Sequence, residues 1–222
     1  MTEKTSPDYG ALKIRAKELA KGPEDRPVIE ARLKKLSQHG IPIKKLDPDE
    51  VISQKKQILD RVQVRAEEYE QVSQSCAKSS ALAIMEEFGF GDIKVITALS
   101  PFPGIALTGD TCGAISGGMT ALALYFGKDD LLDFAANAWI YGQCRKFIQR
   151  FEQVLGTTKC REIHQDVIFG RYYDTADISE GYPAFIRDKG FEKCGLPPGI
   201  GARIAAGIII EDLEKKKRKT GS

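Results

Sequence analysis

Residues 113, 117 and 121 are glycine, glycine and alanine, each one helical turn from the next, inside the apolar run Ile115, Met119, Leu122, Leu124 and Phe126. On a helix they line up as a smooth strip against which a second backbone can lie close. Four glycines between positions 109 and 118 weaken such a helix by roughly 1 kcal/mol each relative to alanine wherever they fall inside it. That cost points to a packing or site requirement. Gly127 is the expected stop, and Thr108 or Asp110 the expected N-cap. Cys112 then lies in the first turn, where the helix macrodipole and unpaired N–H groups favour thiolate, the form that attacks disulfides and binds metals. Its other use is as a small buried hydrophobe.

The rest of the chain reads as helix as well. From Asp49, the residues Val51, Ile52, Ile58, Leu59, Val62, Ala66, Tyr69 and Val72 recur at three- and four-residue steps, and the pattern continues or kinks at Ser73-Gln74-Ser75 on its way to Gly89. A short helix is expected over 92–99, followed by the irregular turn Ser100-Pro101-Phe102-Pro103-Gly104. Asp129 to Leu155 carries a broad apolar stripe that includes Leu132, Trp139, Phe147, Phe151 and Cys144, which places Cys144 in the core. Thr157 or Thr158 can cap a helix from Lys159 to about Ile168, with Cys160 in its first turn and His164 on the same face. A short helix over 182–188 and a long one over 198–217 complete the chain, with Cys194 just before the last. No convincing period-2 strand occurs, so the fold class is all-α: a helical bundle with glycine-rich close packing.

Residues 1–48 read as an N-terminal helical appendage and linker, and 49–222 as a four-cysteine core domain. Two short helices, 11–21 and 27–38, are followed by the extended Ile41-Pro42-Ile43-Lys44-Lys45-Leu46-Asp47-Pro48.

A chain of 222 residues, 42% hydrophobic and 29% charged, has the composition of a globular protein. Its net charge of +2 makes no case for nucleic acid or an acidic partner. The basic run 215–219 suits a solvated helix C-terminus. The polar start Met1-Thr2-Glu3-Lys4 lacks a signal-peptide core, and no stretch suits a membrane span, so a cytoplasmic location is expected. In that compartment the five cysteines are less suited to structural disulfides than to chemistry. Cys112, Cys160 and Cys194 all stand at or before helix starts. None of the five forms a C-x2-C pair, which excludes zinc-finger and thioredoxin-type motifs.

The order Ser75-Cys76-Ala77, Thr111-Cys112-Gly113-Ala114-Ile115-Ser116-Gly117, Cys160-Arg161-Glu162 and Lys193-Cys194 resembles the C_GCAxxG_C_C family of redox-active proteins, over about residues 60–212. Ser75 stands where that family often has Asn. The helical core is also similar to the split-Soret cytochromes c, which are dimeric haem proteins with an iron–sulfur centre. With no C-x-x-C-H motif and only two histidines, covalent haem is not expected. The resemblance implies Cys76, Cys112, Cys160 and Cys194 around one site as thiolate ligands of an iron–sulfur cluster or other metal; the Cys160-x3-His164 spacing, separately, offers His164 as a further ligand or a proton acceptor. It also implies an electron-transfer role with an unidentified donor and acceptor. A metal-free thiol–disulfide protein with Cys112 as nucleophile is the alternative, and a non-enzymatic helical interaction module the third reading. A homodimer is expected, because the helix from Asp49 carries apolar residues beyond one compact core and the appendage can embrace a second copy.

Overall fold

The computed structural model describes residues 7–220, so most of the polar N-terminal octapeptide lies outside the described residues. The chain is all-α, with no strand among the described residues; one isolated antiparallel bridge joins Thr111 and Lys159. No helix of the described residues is long and apolar enough to cross a membrane.

The centre of the bundle is built from α4 (Lys55–Ser73), α5 (Cys76–Phe88), α8 (Gly113–Phe126), α9 (Phe134–Leu155) and α13 (Leu196–Thr220). Helix α13 packs against all four of the others. Its residues Ala202, Ala205, Ala206, Ile209 and Ile210 have no exposed surface, and it presents small residues where it crosses its neighbours. The expected glycine strip is the face on which α8 meets α5. A Cβ on Gly117 would stand 2.1 Å from the Ala77 carbonyl oxygen, so any side chain there would drive the two backbones apart.

The helix expected from Asp49 is broken twice. Asp47 caps α3 (Pro48–Ser53), which gives way at Gln54 to α4. A second break comes at Gln74, which takes up left-handed backbone at φ 56° and turns the chain from α4 into α5. Helix α9 starts at Phe134, capped by Asp133, rather than at Asp129. Its first turns largely leave the core: Leu132 precedes the helix and is exposed, Trp139 is half exposed, and apart from Ala136 the stripe becomes buried only from Cys144 onward.

Helices α1 (Tyr9–Leu19) and α2 (Arg26–His39) form the N-terminal pair. Their residues Ala16, Leu19, Ile29 and Leu36 belong to the same apolar core as α4, α5 and α13. Helix α2 lies on α4, and the apolar face of α4 is thus covered within one chain. Beneath it lies a buried charged network. Tyr69 donates to Glu86 at 2.5 Å, Arg32 reaches Glu86 at 2.7 Å, and Arg65 joins Glu86 and Glu87 at 3.6 and 3.0 Å. Such groups are kept in the interior only because each is paired. The basic end of α13 is tied down by Lys217 to Asp49 at 2.8 Å.

Candidate functional site

Four separate chain segments bring cysteines to one cavity of about 360 Å³, lined by Cys76, Cys112, Cys160, Cys194 and His164 among others. Cys144 is elsewhere, buried between α8 and α9 with its thiol 4.0 Å from the Met119 carbonyl oxygen.

Each placement has a local cause. Cys76 is the first residue of α5, delivered there by the left-handed Gln74 and the extended Ser75. Cys112 is itself the N-cap residue of α8. Neither Thr108 nor Asp110 takes that position: Thr108 bonds back to the Gly104 carbonyl oxygen at 3.0 Å, and Asp110 pairs with Lys159 at 2.9 Å. A short clip then fixes Cys112 beside Cys160. The Cys112 amide donates to the Thr158 carbonyl at 2.8 Å and the Cys160 amide to the Asp110 carbonyl at 2.7 Å. Cys160 opens a single turn, α10 (Cys160–Glu162), which runs into a π-helical turn over Ile163–Ile168. The expected regular helix over 159–168 is therefore wider than an α-helix in its second half, a feature common at functional sites. Cys194 ends the short helix α12 (Gly190–Lys193), immediately before α13.

The π turn carries His164 into the centre. Its Nε2 lies 3.8 Å from the Cys160 sulfur and 3.5 Å from that of Cys194. The ring stacks on Phe185 at 5.6 Å, and Nδ1 has no hydrogen-bond partner. Burial pulls the imidazole down to about 4, so it is neutral at physiological pH. Burial also pushes the Cys160 thiol up to about 12 and the Cys194 thiol well above its ordinary range. This pair rests as protonated thiols.

Cys76 and Cys112 behave differently. The neighbouring Cys112 thiol, reinforced by the amides of Gly113 and Ala77, outweighs the burial of Cys76 and lowers its thiol. The same pairing with Cys76, followed by burial, holds Cys112 well above its ordinary range. In this arrangement the lowered thiol is that of Cys76, while Cys112 was the one expected from its place at a helix start. The helix start is outweighed by that pairing and by burial. Gly113 completes the contact, because a Cβ there would lie 2.5 Å from the Cys76 sulfur.

One wall of the cavity is the turn α7 (Gly104–Leu107), wound in the left-handed region, with φ of 48°, 54° and 65° at Ile105, Ala106 and Leu107. Such residues cost of order 1–3 kcal/mol each and cluster at functional sites. Tyr172, Tyr182 and Phe185 also line it, with the Arg161 guanidinium 4.1 Å above the Tyr172 ring.

Sequence reasoning did not single out Glu70. It is buried in the last turn of α4 and lines the same cavity, and its carboxyl lies 3.2 Å from the Ser79 hydroxyl. Among the described residues, no three His, Cys, Asp or Glu side chains are grouped so as to hold a metal ion. The iron–sulfur expectation therefore finds no ready-made metal site in this arrangement.

The model of the family described as "Putative redox-active protein (C_GCAxxG_C_C)" matches residues 74–195, more than half of the chain and the whole span of the four cysteines. No curated protein and no solved structure matches, so the split-Soret likeness gains no support.

Proposed function

The chain belongs to the C_GCAxxG_C_C family, and on that premise we propose that it is a thiol–disulfide redox protein in which Cys76 attacks and Cys112 resolves. The observation that carries this reading is the packing of the Cys76 sulfur, at the start of α5, against the start of α8, where a Cβ on Gly113 would stand 2.5 Å from it and Cys112 lines the same cavity. The neighbouring Cys112 thiol and the amides of Gly113 and Ala77 lower the Cys76 thiol and so favour thiolate, the attacking form.

The Cys76 thiolate attacks one sulfur of a substrate disulfide; the S–S bond breaks, and the first thiolate leaves and is protonated. Cys112 loses its proton and attacks the Cys76 sulfur of the mixed disulfide, expelling the second thiol. Two electrons pass from the protein dithiol to the substrate, which becomes two thiols, and Cys76–Cys112 becomes a disulfide. Cys112 is only 4% exposed, so a low-molecular-weight disulfide suits the cavity better than one on a protein surface. Cys160 and Cys194, protonated around His164, stand by as a second, less reactive pair. Assembly as a homodimer is part of the same proposal.

The test is oxidation of anaerobically purified protein by a small disulfide, followed by peptide mapping. A Cys76–Cys112 disulfide is expected, formed with release of two thiols per chain. A visible chromophore with stoichiometric iron and sulfide would replace this reading with the cluster. A thiol count unaffected by oxidant would leave only the interaction module.

A further inference from the structure

Glu70 is a carboxyl group with 3% exposure, facing a cavity of sulfur atoms and joined to no cation. Its setting is specific. The carboxyl lies 3.2 Å from the Ser79 hydroxyl in the first turn of α5, and the nearby Ser75 amide favours its charged form. That hydroxyl also lies 2.9 Å from the Ser75 carbonyl oxygen. A serine hydroxyl has a single proton. If it goes to the nearer carbonyl, the contact between Ser79 and Glu70 is made by a carboxyl that carries its own proton. The carboxyl is thereby anchored to the residue that precedes Cys76, inside the thiol site.

We infer that Glu70 is the proton carrier of the Cys76–Cys112 couple, giving its proton to the first leaving thiolate and then taking the proton of Cys112. The inference rests on the thiol–disulfide reading above. Before reaction the site holds one negative charge, on Cys76, and two protons, on Cys112 and Glu70. Attack by Cys76 neutralises its sulfur, and the leaving thiolate departs with the Glu70 proton. The ionised Glu70 then accepts the Cys112 proton as Cys112 closes the disulfide. That proton leaves in turn on the second thiol. The end state is a neutral disulfide and one carboxylate, held by the Ser75 amide and the Ser79 hydroxyl. One buried negative charge is present before and after, so the site never has to hold two.

Burial first, and the Cys76 thiolate second, raise Glu70 well above the ordinary carboxyl range, consistent with a proton held in the reduced protein. The other groups facing it do not compete for this task. Cys160 and Cys194 are protonated and His164 is neutral between them. Lys78, Tyr172 and Tyr182 line the same cavity, and burial first holds the Tyr172 phenol above its ordinary range.

The experiment is redox titration of the full chain across neutral pH, with the disulfide mapped at each end point. Two protons released with two electrons change the equilibrium constant a hundredfold per pH unit, about 59 mV for the couple. In Glu70→Gln only the Cys112 proton remains, and the slope should fall to tenfold per pH unit, about 30 mV. The native protein provides a check that needs no variant: its reduced-minus-oxidised infrared spectrum should contain a protonated-carboxyl band that vanishes on oxidation. An unchanged slope in Glu70→Gln, or a native spectrum without that band, overturns the assignment. If no Cys76–Cys112 disulfide forms at all, the thiol–disulfide reading itself fails and the role of Glu70 falls with it.

Discussion

Two cysteines that look alike in one dimension differ in which of them owns the proton. Cys76 and Cys112 both stand at helix starts, yet Cys76 collects donors from α8 as well as from its own helix, while Cys112 spends its proton on Cys76. Alkylation of Cys76 should therefore show a pH midpoint below the free-thiol value of about 8.5, with Cys112 silent at neutral pH. A hydrogen bond to a charged group is worth about 1.5–3 kcal/mol, or about one to two pH units. Cys112→Ala should raise the Cys76 midpoint by that amount. A native midpoint at or above about 8.5 would mean that burial overrides the three donors. The importance of the Cys112-Gly113 pair was legible in the sequence, because a thiol beside glycine at a helix start has few other uses. The order of acidity was not, since it depends on amides contributed by a helix distant in the chain. His164 was legible only as a neighbour of Cys160, and the approach of Cys194 to its other side is tertiary. Glu70 left no local signal at all; its serine partners begin five residues on, across the break at Gln74.

At the scale of elements, helical periodicity carried most of the architecture, and its failures are instructive. Gly113, Gly117 and Ala121 form the α5 contact that their spacing suggests. The prediction that follows compares two glycines inside helices. Gly117→Ala puts a methyl group into the Ala77 backbone and should destabilise by about 1–3 kcal/mol or more. Gly142→Ala, in α9 with nothing within 4 Å, should instead stabilise by about 0.5–1 kcal/mol. Urea unfolding of the two variants measures both, and equal effects would show that α5 and α8 do not approach as described. The break at Gln74 falls where the pattern left room for a kink at Ser73-Gln74-Ser75, whereas apolar spacing could not place the break at Gln54, because that residue is neither glycine nor proline. The π turn and the left-handed α7 were illegible as well. Both are unfavourable locally and are held by contacts around the cavity, where a Cβ added at Gly104 would stand 3.4 Å from the Cys160 sulfur.

For the whole molecule, the separation of an appendage from a core was read from two short helices and a proline-marked linker, which says where the chain turns extended but not where α1 and α2 go. They add to the same apolar core and cover α4 from outside. This removes the original reason for a dimer, an uncovered long helix, and moves the argument to another surface. Leu131, Leu132, Phe134 and Tyr141 are 88%, 75%, 76% and 69% exposed, and Phe134 and Tyr141 lie two turns apart on one face of α9. Exposed apolar residues gathered along one edge are characteristic of an association surface, and closed two-fold pairs are the commonest assemblies. Light scattering at micromolar concentration should thus give twice the chain mass of 24.5 kDa. Phe134→Glu should return it to the monomer mass without altering Cys76 alkylation, because the cavity and this edge are lined by different residues. Deleting residues 1–46 should lower the unfolding midpoint by stripping α1 and α2 from the core, yet leave the association in place. A native mass of 24.5 kDa would refute the dimer. A dimer that survives Phe134→Glu but is lost with residues 1–46 would return the interface to the N-terminal helices.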